Sequence, residues 1–171
     1  MAEIANSIVP DILAIIHSVD QMSIPVGKTH VALIDECDAD ALTGYNWMFN
    51  GRYAYTLVDG KALFMHRLVA SPPDEMLVDH IDGDGLNNQR HNLRICTHTQ
   101  NMWNRRSSCG ASRFKGVHLD KGAWRAQINV KGKRISLGTF TTETKAARAY
   151  DKAAVEFFGE FACTNRELGL L

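Results

Sequence analysis

Residues 78–101, VDHIDGDGLNNQRHNLRICTHTQN, decide how the whole chain is interpreted. The stretch opens with an apolar strand pattern that carries Asp79 and His80 side by side. A loop rich in glycine and asparagine follows, and its Asp-Gly-Asp-Gly run suits tight turns with positive φ. Leu93–Cys96 is a second apolar run. We therefore expect two strands, over residues 76–81 and Leu93–Cys96, joined by an irregular loop.

The end of this stretch predicts the start of a helix. Thr97 can cap the helix, and Gln100 can reach back to the cap amide, which makes a capping box. Asn101 then lies in the first turns of that helix. Asp79 and His80 are neighbours on a strand, so their side chains point to opposite faces unless a bulge re-aims one of them.

The polar residues of this stretch include candidate metal ligands and a candidate general base. The Asp79 carboxylate and the Asn101 carbonyl are hard oxygen ligands, suited to Mg²⁺ or Mn²⁺ rather than zinc. His80 has an ordinary pKa of about 6.5 and can accept a proton from water near neutral pH. A calcium loop is the alternative for the Asp-Gly-Asp-Gly run, but the sequence lacks the alternating acids and the closing Glu of an EF-hand. A general base beside a hard-metal site indicates a nuclease.

Length and composition allow one domain of usual size or two small modules. The chain has 171 residues, of which 45% are hydrophobic and 22% charged, as is ordinary for soluble globular proteins. Its four cysteines lie far apart and form no CxxC pair. The sequence therefore indicates neither structural zinc nor a disulfide framework, and reduced thiols are the simplest expectation.

Charge is distributed unevenly although the formal net charge is zero. Residues 1–60 hold two basic and eight acidic residues, a net charge of −6, whereas residues 106–171 hold twelve basic and six acidic residues, a net charge of +6. Seven of those basic residues lie between Arg113 and Arg134, against Asp120 alone. A basic C-terminal part indicates a polyanionic partner, with an ordinary solvated face as the alternative.

The N-terminal residues predict a short helix and no membrane span. Residues 10–19 place four aliphatic side chains on one helical face, which serves packing or is a candidate contact for a homodimer. The most apolar early run, residues 8–16, is short and is interrupted by Pro10 and Asp11, so it is not a membrane segment.

The C-terminal part predicts a three-stranded antiparallel sheet packed on one helix. Residues 124–130 alternate apolar and polar side chains, and residues 134–139 continue the pattern after a Lys-Gly turn. Thr142 is a helix cap, and Gly159 ends the helix. The apolar stripe of this helix is expected at Ala146, Tyr150, Ala153 and Phe157.

The segment that runs from KTHVALIDECDADALTGYNW through MHRLVASPPDEMLVDHIDGDGLNNQRHNLRI resembles the HNH endonucleases of phages and mobile introns. The resemblance covers residues 28–101 and implies a small sheet that leads into a ββα-metal nuclease module. It also implies that His80 is the general base that activates water. Asp79 and Asn101 would then bind one Mg²⁺ or Mn²⁺ per active site.

The same resemblance assigns supporting roles. The last histidine of the motif is replaced here by Asn101, which is the H-N-N variant. Asn92 is the middle motif residue, expected to cross-link the loop and hold His80 in a catalytic position, with Asn88 as the alternative for that role. His66, in the recurrent HRL segment, is a supporting residue.

A second resemblance covers the C-terminal part. The segment SRFKGVHLDKGAWRAQINVKGKRISLGTFTTETKAARAYDKAAVEFFGEFACTN is similar, almost end to end, to the DNA-binding domain of the plant ethylene-response (APETALA2-type) factors. It implies double-stranded DNA as the partner. It also implies that five side chains face DNA: Lys115, His118, Arg125, Gln127 and Arg134. His118 and Asp120 stand where that family commonly has arginines, so the plant target sequence is not carried over.

Together these features predict an α+β protein with four parts: an N-terminal helical extension (1–27), an HNH nuclease domain (28–103), a linker (104–112) and an APETALA2-type DNA-binding domain (113–165). The predicted function is a site-specific, metal-dependent DNA endonuclease of the homing type. The alternative is a non-catalytic transcriptional regulator that retains a degenerate HNH fold, and a packaging protein is a third class. We expect a cytoplasmic location, in a bacterial or phage-infected host cell.

Overall fold

The computed structural model describes residues 21–105 and 112–171 and shows an α+β protein. The helix expected over residues 10–19 and most of the expected linker lie outside the described residues. The chain forms two compact units. The first contains the residues up to Asp74 together with Val78–Ile95, and the second contains Glu75–Leu77 together with Cys96–Leu171.

The first unit begins with a β-hairpin. Gln21–Val26 (β1) pairs antiparallel with His30–Asp35 (β2). Ile24 and Val26 are buried and alternate with exposed residues along β1, which is the period of a strand with one covered face. Residues 21–26 fall within the expected helical extension over residues 1–27, but they form a strand because they pair with β2.

A short helical connection and a second sheet follow. The elements are α1 (Ala39–Leu42), β3 (Met48–Phe49), β4 (Ala54–Val58) and β5 (Lys61–Phe64). The three strands pair antiparallel with β4 in the centre. β5 ends at Phe64. The helix α2 (Met65–Ala70) begins at the next residue, because Met65 and Val69 face the interior at helical spacing.

These elements share one hydrophobic core. Trp47 lies in it, with 4% of its surface exposed, and its indole Nε1 donates to the Leu42 carbonyl at 2.9 Å. Leu86 and Leu93, which belong to the central motif, pack against the same core. The motif is therefore held by the body of the first unit. The fully buried apolar members of the core are Val26, Ala32, Ile34, Leu42, Ala54 and Met65.

The motif forms two strands around an irregular loop. β6 (Leu77–His80) and β7 (Leu93–Cys96) pair in a two-stranded sheet, as the sequence predicts. Leu33 of β2 binds the loop through two backbone hydrogen bonds of 2.8 Å. In one its N–H donates to the Leu86 carbonyl, and in the other its carbonyl accepts from the Asn88 N–H. The loop is irregular in form but fixed in position.

The second unit opens with a short helix and a three-stranded sheet. α3 (His98–Trp103) starts with the predicted capping box of Thr97 and Gln100. The sheet follows, with β9 in the centre of an antiparallel order. Its strands are β8 (Val117–Asp120), β9 (Ala123–Val130) and β10 (Lys133–Phe140).

One long helix packs on this sheet. α4 (Glu143–Phe158) is capped by Thr142, whose hydroxyl accepts from the Lys145 N–H, and it ends at Gly159 with a φ of 56°. Phe157, expected on the apolar stripe, is 42% exposed, whereas Phe158 is 6% exposed. Phe158 takes the interior position because its ring stacks on Trp103, with a centroid distance of 4.5 Å. Within the described residues, no helix combines the length and apolarity needed to cross a bilayer.

Candidate active site and nucleic-acid interface

Asp79 and His80 occupy the last two positions of β6, and both are buried. Asp79 is 6% exposed and His80 is 4% exposed. Adjacent residues of a strand project to opposite faces, so the two side chains meet different partners. Asp79 contacts Arg94 of β7, whereas His80 contacts Asn88 of the loop.

The His80 ring lies among aromatic rings and one amide. It stacks on Tyr53 at a centroid distance of 5.6 Å and meets the His66 ring nearly edge-on at 5.2 Å. Its Nε2 lies 3.4 Å from Asn88 Oδ1. Burial lowers the pKa of His80 below its ordinary value, and Asn88 and the nearby Asp82 oppose that shift. His80 is therefore neutral near pH 7, the form that accepts a proton.

His66 is a second buried histidine beside His80. It is 7% exposed, and its ring packs against Tyr53 at 4.9 Å. Its Nδ1 is buried and has no hydrogen-bond partner in the part of the chain that the structure describes. Burial, together with the nearby His80 and Arg67, lowers the pKa of His66 to about 3. His66 is thus uncharged at neutral pH and supports the packing around His80.

Asn92 ties the loop together. Its Oδ1 accepts from the Asp82 N–H at 3.0 Å, and its Nδ2 donates to Asp82 Oδ1 at 2.9 Å and to the Asn87 carbonyl at 2.8 Å. Its backbone carbonyl accepts from the Ile81 N–H at 2.9 Å. These bonds join the residues after His80 to the start of β7. Asn92 has the cross-linking geometry implied for the middle motif residue.

Asn88 has a different environment from Asn92. It is fully buried, and its Nδ2 donates to the Leu86 carbonyl at 3.1 Å, which turns Oδ1 toward His80. The two asparagines proposed for the middle motif position therefore make different contacts. Asn92 fixes the loop, and Asn88 contacts the His80 ring.

An acidic segment of the first unit holds the same loop. Asp35 accepts from the Arg90 N–H at 2.7 Å and from Gln89 Nε2 at 3.4 Å. Asp38 binds the Arg90 guanidinium through both oxygens, at 2.9 and 2.5 Å, and this hydrogen bonding raises the pKa of Arg90. The acidic run is visible in the sequence, but its partners lie 52 to 55 residues away, so spacing could not predict the pairing.

Asp79 is bound by Arg94. Nε and Nη2 of Arg94 donate to Asp79 Oδ2 at 2.9 and 2.7 Å, and the two side chains are 13% and 7% exposed. A carboxylate of this kind is a hard donor that suits Mg²⁺. Because both bonds go to the same oxygen, a cation at Asp79 would share the carboxylate with Arg94 or displace it.

Asn101, the second expected metal ligand, lies on α3, and its N–H donates to the Thr97 carbonyl at 3.0 Å. It belongs to the second unit, whereas Asp79 belongs to the first. Within residues 21–105 and 112–171, no group of three or more His, Cys, Asp or Glu side chains could hold a metal ion. A carboxylate oxygen and an amide oxygen are each donors that suit a hard divalent cation.

Four of the five side chains expected to face DNA share one face of the C-terminal sheet. His118 lies opposite Arg125 across β8 and β9, and Arg134 lies opposite Asn129 across β9 and β10. Gln127 lies two residues from both Arg125 and Asn129 on β9. Opposite residues of an antiparallel pair share a face, so His118, Arg125, Gln127 and Arg134 project from the side that faces away from the core.

Two of the expected DNA contacts have partners within the protein. Arg125 Nε lies 3.1 Å from Asp120 Oδ2. Lys115 departs further from the expectation, because it precedes β8 and its Nζ donates to the Trp103 carbonyl at 2.6 Å. Burial lowers the pKa of Lys115, and Cys163 opposes the shift. The ammonium of Lys115 therefore points into the second unit.

Comparison with known proteins finds relatives for both parts of the chain. Residues 65–103 match the family described as HNH endonuclease. The chain is 36% identical to the Uncharacterized HNH endonuclease L560 of Acanthamoeba polyphaga mimivirus over 117 residues, which are 67% of this chain and 56% of that protein. The chain therefore spans little more than half the length of this relative.

The C-terminal part is similar to plant proteins. It is 52% identical to APETALA2-like protein 2 of Oryza sativa subsp. indica over 61 residues, 34% of this chain and 14% of that protein. It is also 37% identical to Ethylene-responsive transcription factor ERF069 of Arabidopsis thaliana over 97 residues, 53% of this chain and 60% of that protein. Both resemblances drawn from the motifs are thus confirmed, while the roles of single residues stay predictions.

Proposed function

We propose that this chain, which carries an HNH endonuclease segment ahead of an APETALA2-type segment, is a metal-dependent DNA endonuclease of the site-specific, homing type. The observation that carries the proposal is the environment of His80. It is a buried, neutral histidine beside Asp79 on β6, and the loop that follows it is fixed by Asn92. The match of residues 65–103 to HNH endonucleases supports the same reading.

His80 acts as the general base. Asn88 Oδ1 lies next to its Nε2, which favours the tautomer with the proton on Nε2. The Nδ1 lone pair then accepts a proton from the attacking water. Tyr53 and His66 pack on the ring and hold its plane, so the nitrogen that accepts the proton keeps a constant direction.

Asp79 and Asn101 would hold one Mg²⁺ or Mn²⁺. A bound cation supplies charge stabilisation at the scissile phosphate and at the departing oxygen. Arg94 orients the Asp79 carboxylate through the two hydrogen bonds that its guanidinium donates to Oδ2. The protein thus presents hard oxygen donors and a neutral base, a set that suits metal-assisted phosphodiester hydrolysis.

The second unit brings the nuclease to its target. Arg125, Gln127 and Arg134 project from one sheet face, and such a face can enter the major groove, where Arg reads guanine and Gln reads adenine. A single chain with one active site cuts one strand. We therefore expect supercoiled plasmid to be converted first to the open circular form, unless two chains associate.

Plasmid cleavage tests the proposal. Wild-type protein with Mg²⁺ should cut a plasmid that carries the cognate site, and EDTA should abolish cutting. His80→Ala should slow cleavage by about 10²- to 10⁴-fold, the usual contribution of a general base. His30→Ala, which changes an exposed histidine outside the motif, should cut at the wild-type rate.

One outcome favours the regulator that retains a degenerate HNH fold. If wild-type protein binds DNA tightly but leaves the plasmid intact with both Mg²⁺ and Mn²⁺, the chain is a DNA-binding protein without nuclease activity. Equal cleavage by His80→Ala and wild type would instead contradict the assignment of the base.

A further inference from the structure

The helix that carries Asn101 has little stability of its own. α3 has six residues, and isolated helices shorter than about 12 residues are marginal in water. The capping box of Thr97 and Gln100 satisfies amides at its first turn only. Its last carbonyls need partners from elsewhere in the protein. Whatever holds the C-terminal end of α3 therefore determines where Asn101 is placed.

Trp103, the last residue of α3, packs into the hydrophobic core of the second unit. Its ring stacks on Phe158 of α4 at a centroid distance of 4.5 Å and an interplanar angle of 15°. Phe158 is only 6% exposed and belongs to the cluster that contains Ile128 and Tyr150. The end of α3 is thus part of the core that supports the DNA-facing sheet.

Lys115 binds the same end of the helix. Its Nζ donates to the Trp103 carbonyl at 2.6 Å, one of the carbonyls without a partner inside the helix. A cation at a helix C-terminus is also favoured by the helix dipole. The backbone of Lys115 is held in turn by the buried Asn165, which accepts from its N–H at 2.6 Å and donates to its carbonyl at 3.2 Å.

We infer that Lys115 and Trp103 are positioning residues that anchor α3 on the DNA-reading unit and so set the placement of the Asn101 ligand. Lys115 then acts inside the protein rather than on DNA. The part of the inference that concerns the metal rests on the proposed function, whereas the anchor itself does not.

Hydrogen–deuterium exchange of the full chain tests the anchor without any cleavage. In Lys115→Met, the amides of α3 should exchange about tenfold faster, the effect of losing one hydrogen bond to a charged group. In Trp103→Ala they should exchange at least as much faster, because the ring that stacks on Phe158 is removed. Trp103→Phe keeps a ring against Phe158 and should exchange like the wild type. The amides of β9 should exchange as in the wild type in every variant, which shows that the sheet remains folded.

Two further measurements separate positioning from DNA contact. DNA affinity in EDTA should be equal in Lys115→Met and in Lys145→Met, a matched control that removes an exposed lysine of α4. The Mg²⁺ concentration for half-maximal cleavage should rise about tenfold in Lys115→Met and Trp103→Ala, by analogy with the loss of residues that support metal ligands. Trp103→Phe and Lys145→Met should keep the wild-type Mg²⁺ requirement.

Unchanged exchange of α3 in both Lys115→Met and Trp103→Ala overturns the inference. A loss of DNA affinity in Lys115→Met as large as in Arg125→Ala also overturns it, because Lys115 would then be the DNA contact that the resemblance implies. If the wild type does not cleave, the proposed function fails. Hydrogen–deuterium exchange and DNA affinity still test whether Lys115 and Trp103 anchor α3.

Discussion

Asn88 and Asn92 lie four residues apart, yet substitution of each should have a different effect. The Asn92 side chain makes three hydrogen bonds within the loop, so Asn92→Ala should lower the free energy of unfolding by about 2 kcal/mol in urea titrations. Asn46→Ala, at an exposed position of the same unit, should leave it unchanged.

Asn88→Ala should act mainly on catalysis. Because it removes the amide beside His80 Nε2, we expect cleavage to slow by about 10- to 100-fold, the range that misplacement of a reacting group can cost. Single-turnover cleavage with saturating Mg²⁺ measures this effect. A rate equal to that of the wild type would show that the ring is held by Tyr53 and His66 alone.

His66 should make stability depend on pH. Its pKa is near 6.5 in the unfolded chain and about 3 in the folded chain. Between these values the unfolded state binds a proton that the folded state does not, so the free energy of unfolding falls as pH decreases from 6.5 toward 3. The slope attributable to this group should approach about 1.4 kcal/mol per pH unit.

Urea titrations at pH 7, 6 and 5 measure that slope. His66→Phe keeps an aromatic ring at the position and removes the titration, so its stability should fall less over the same interval than that of the wild type. Equal slopes for the two proteins would mean that other groups cause the acid sensitivity.

At the scale of elements, the motif loop packs closely against Arg52 and Tyr53, the two residues before β4. A Cβ at Gly85 would collide with the Arg52 carbonyl and the Tyr53 ring. Because Tyr53 packs on both His66 and His80, Gly85→Ala should destabilise the protein by about 1–3 kcal/mol and also slow cleavage. Thermal unfolding and the plasmid assay measure the two effects.

Gly44→Ala is the matched control for that change. Gly44 has a backbone conformation that residues with a Cβ can adopt, and no other atom lies within 4 Å of the added methyl group. The Gly44→Ala variant should have the melting temperature and cleavage rate of the wild type. If Gly85→Ala behaved in the same way, the contact between the loop and Tyr53 would not matter for the site.

Elements with strong local signals could be predicted from the sequence. The capping box at Thr97 and Gln100, the cap at Thr142 and the stop at Gly159 depend on neighbouring residues and agree with the structure. The same holds for β7, which spans Leu93–Cys96 as expected. Such features are decided within one helical turn or one strand, where spacing alone carries the information.

Features decided by distant partners could not be predicted. β1 is a strand because β2 pairs with it. Phe158 rather than Phe157 faces inward because Trp103, far away in sequence, offers a ring to stack on. The bond between Arg90 and Asp38 joins residues 52 positions apart, and the charge profile gave no indication of this pairing. For the same reason the sequence could not show that Lys115, which the resemblance gives as DNA-facing, binds the Trp103 carbonyl.

For the whole molecule, charge should govern DNA binding. The basic face is the sheet face that carries His118, Arg125, Gln127 and Arg134. If the second unit makes about five phosphate contacts through this face and its surroundings, the logarithm of the binding constant should fall with the logarithm of salt concentration at a slope of about −4.5. Asp120→Asn should steepen that slope by about 0.9, because it releases Arg125 from its ion pair to contact a phosphate. Filter binding at several salt concentrations measures both values, and a wild-type slope near zero would contradict the basic-face assignment.

The division of the chain into compact units bears on how its specificity can be re-engineered. An exchange of residues 113–165 for another DNA-binding module would leave Trp103 without Phe158 and Lys115, its packing and hydrogen-bonding partners. A junction between Ile95 and Cys96 keeps those partners together in the exchanged segment, but it separates Glu75–Leu77 from the rest of the second compact unit. The segment to be exchanged therefore begins inside the nuclease motif, and a replacement DNA-binding module must include its own α3.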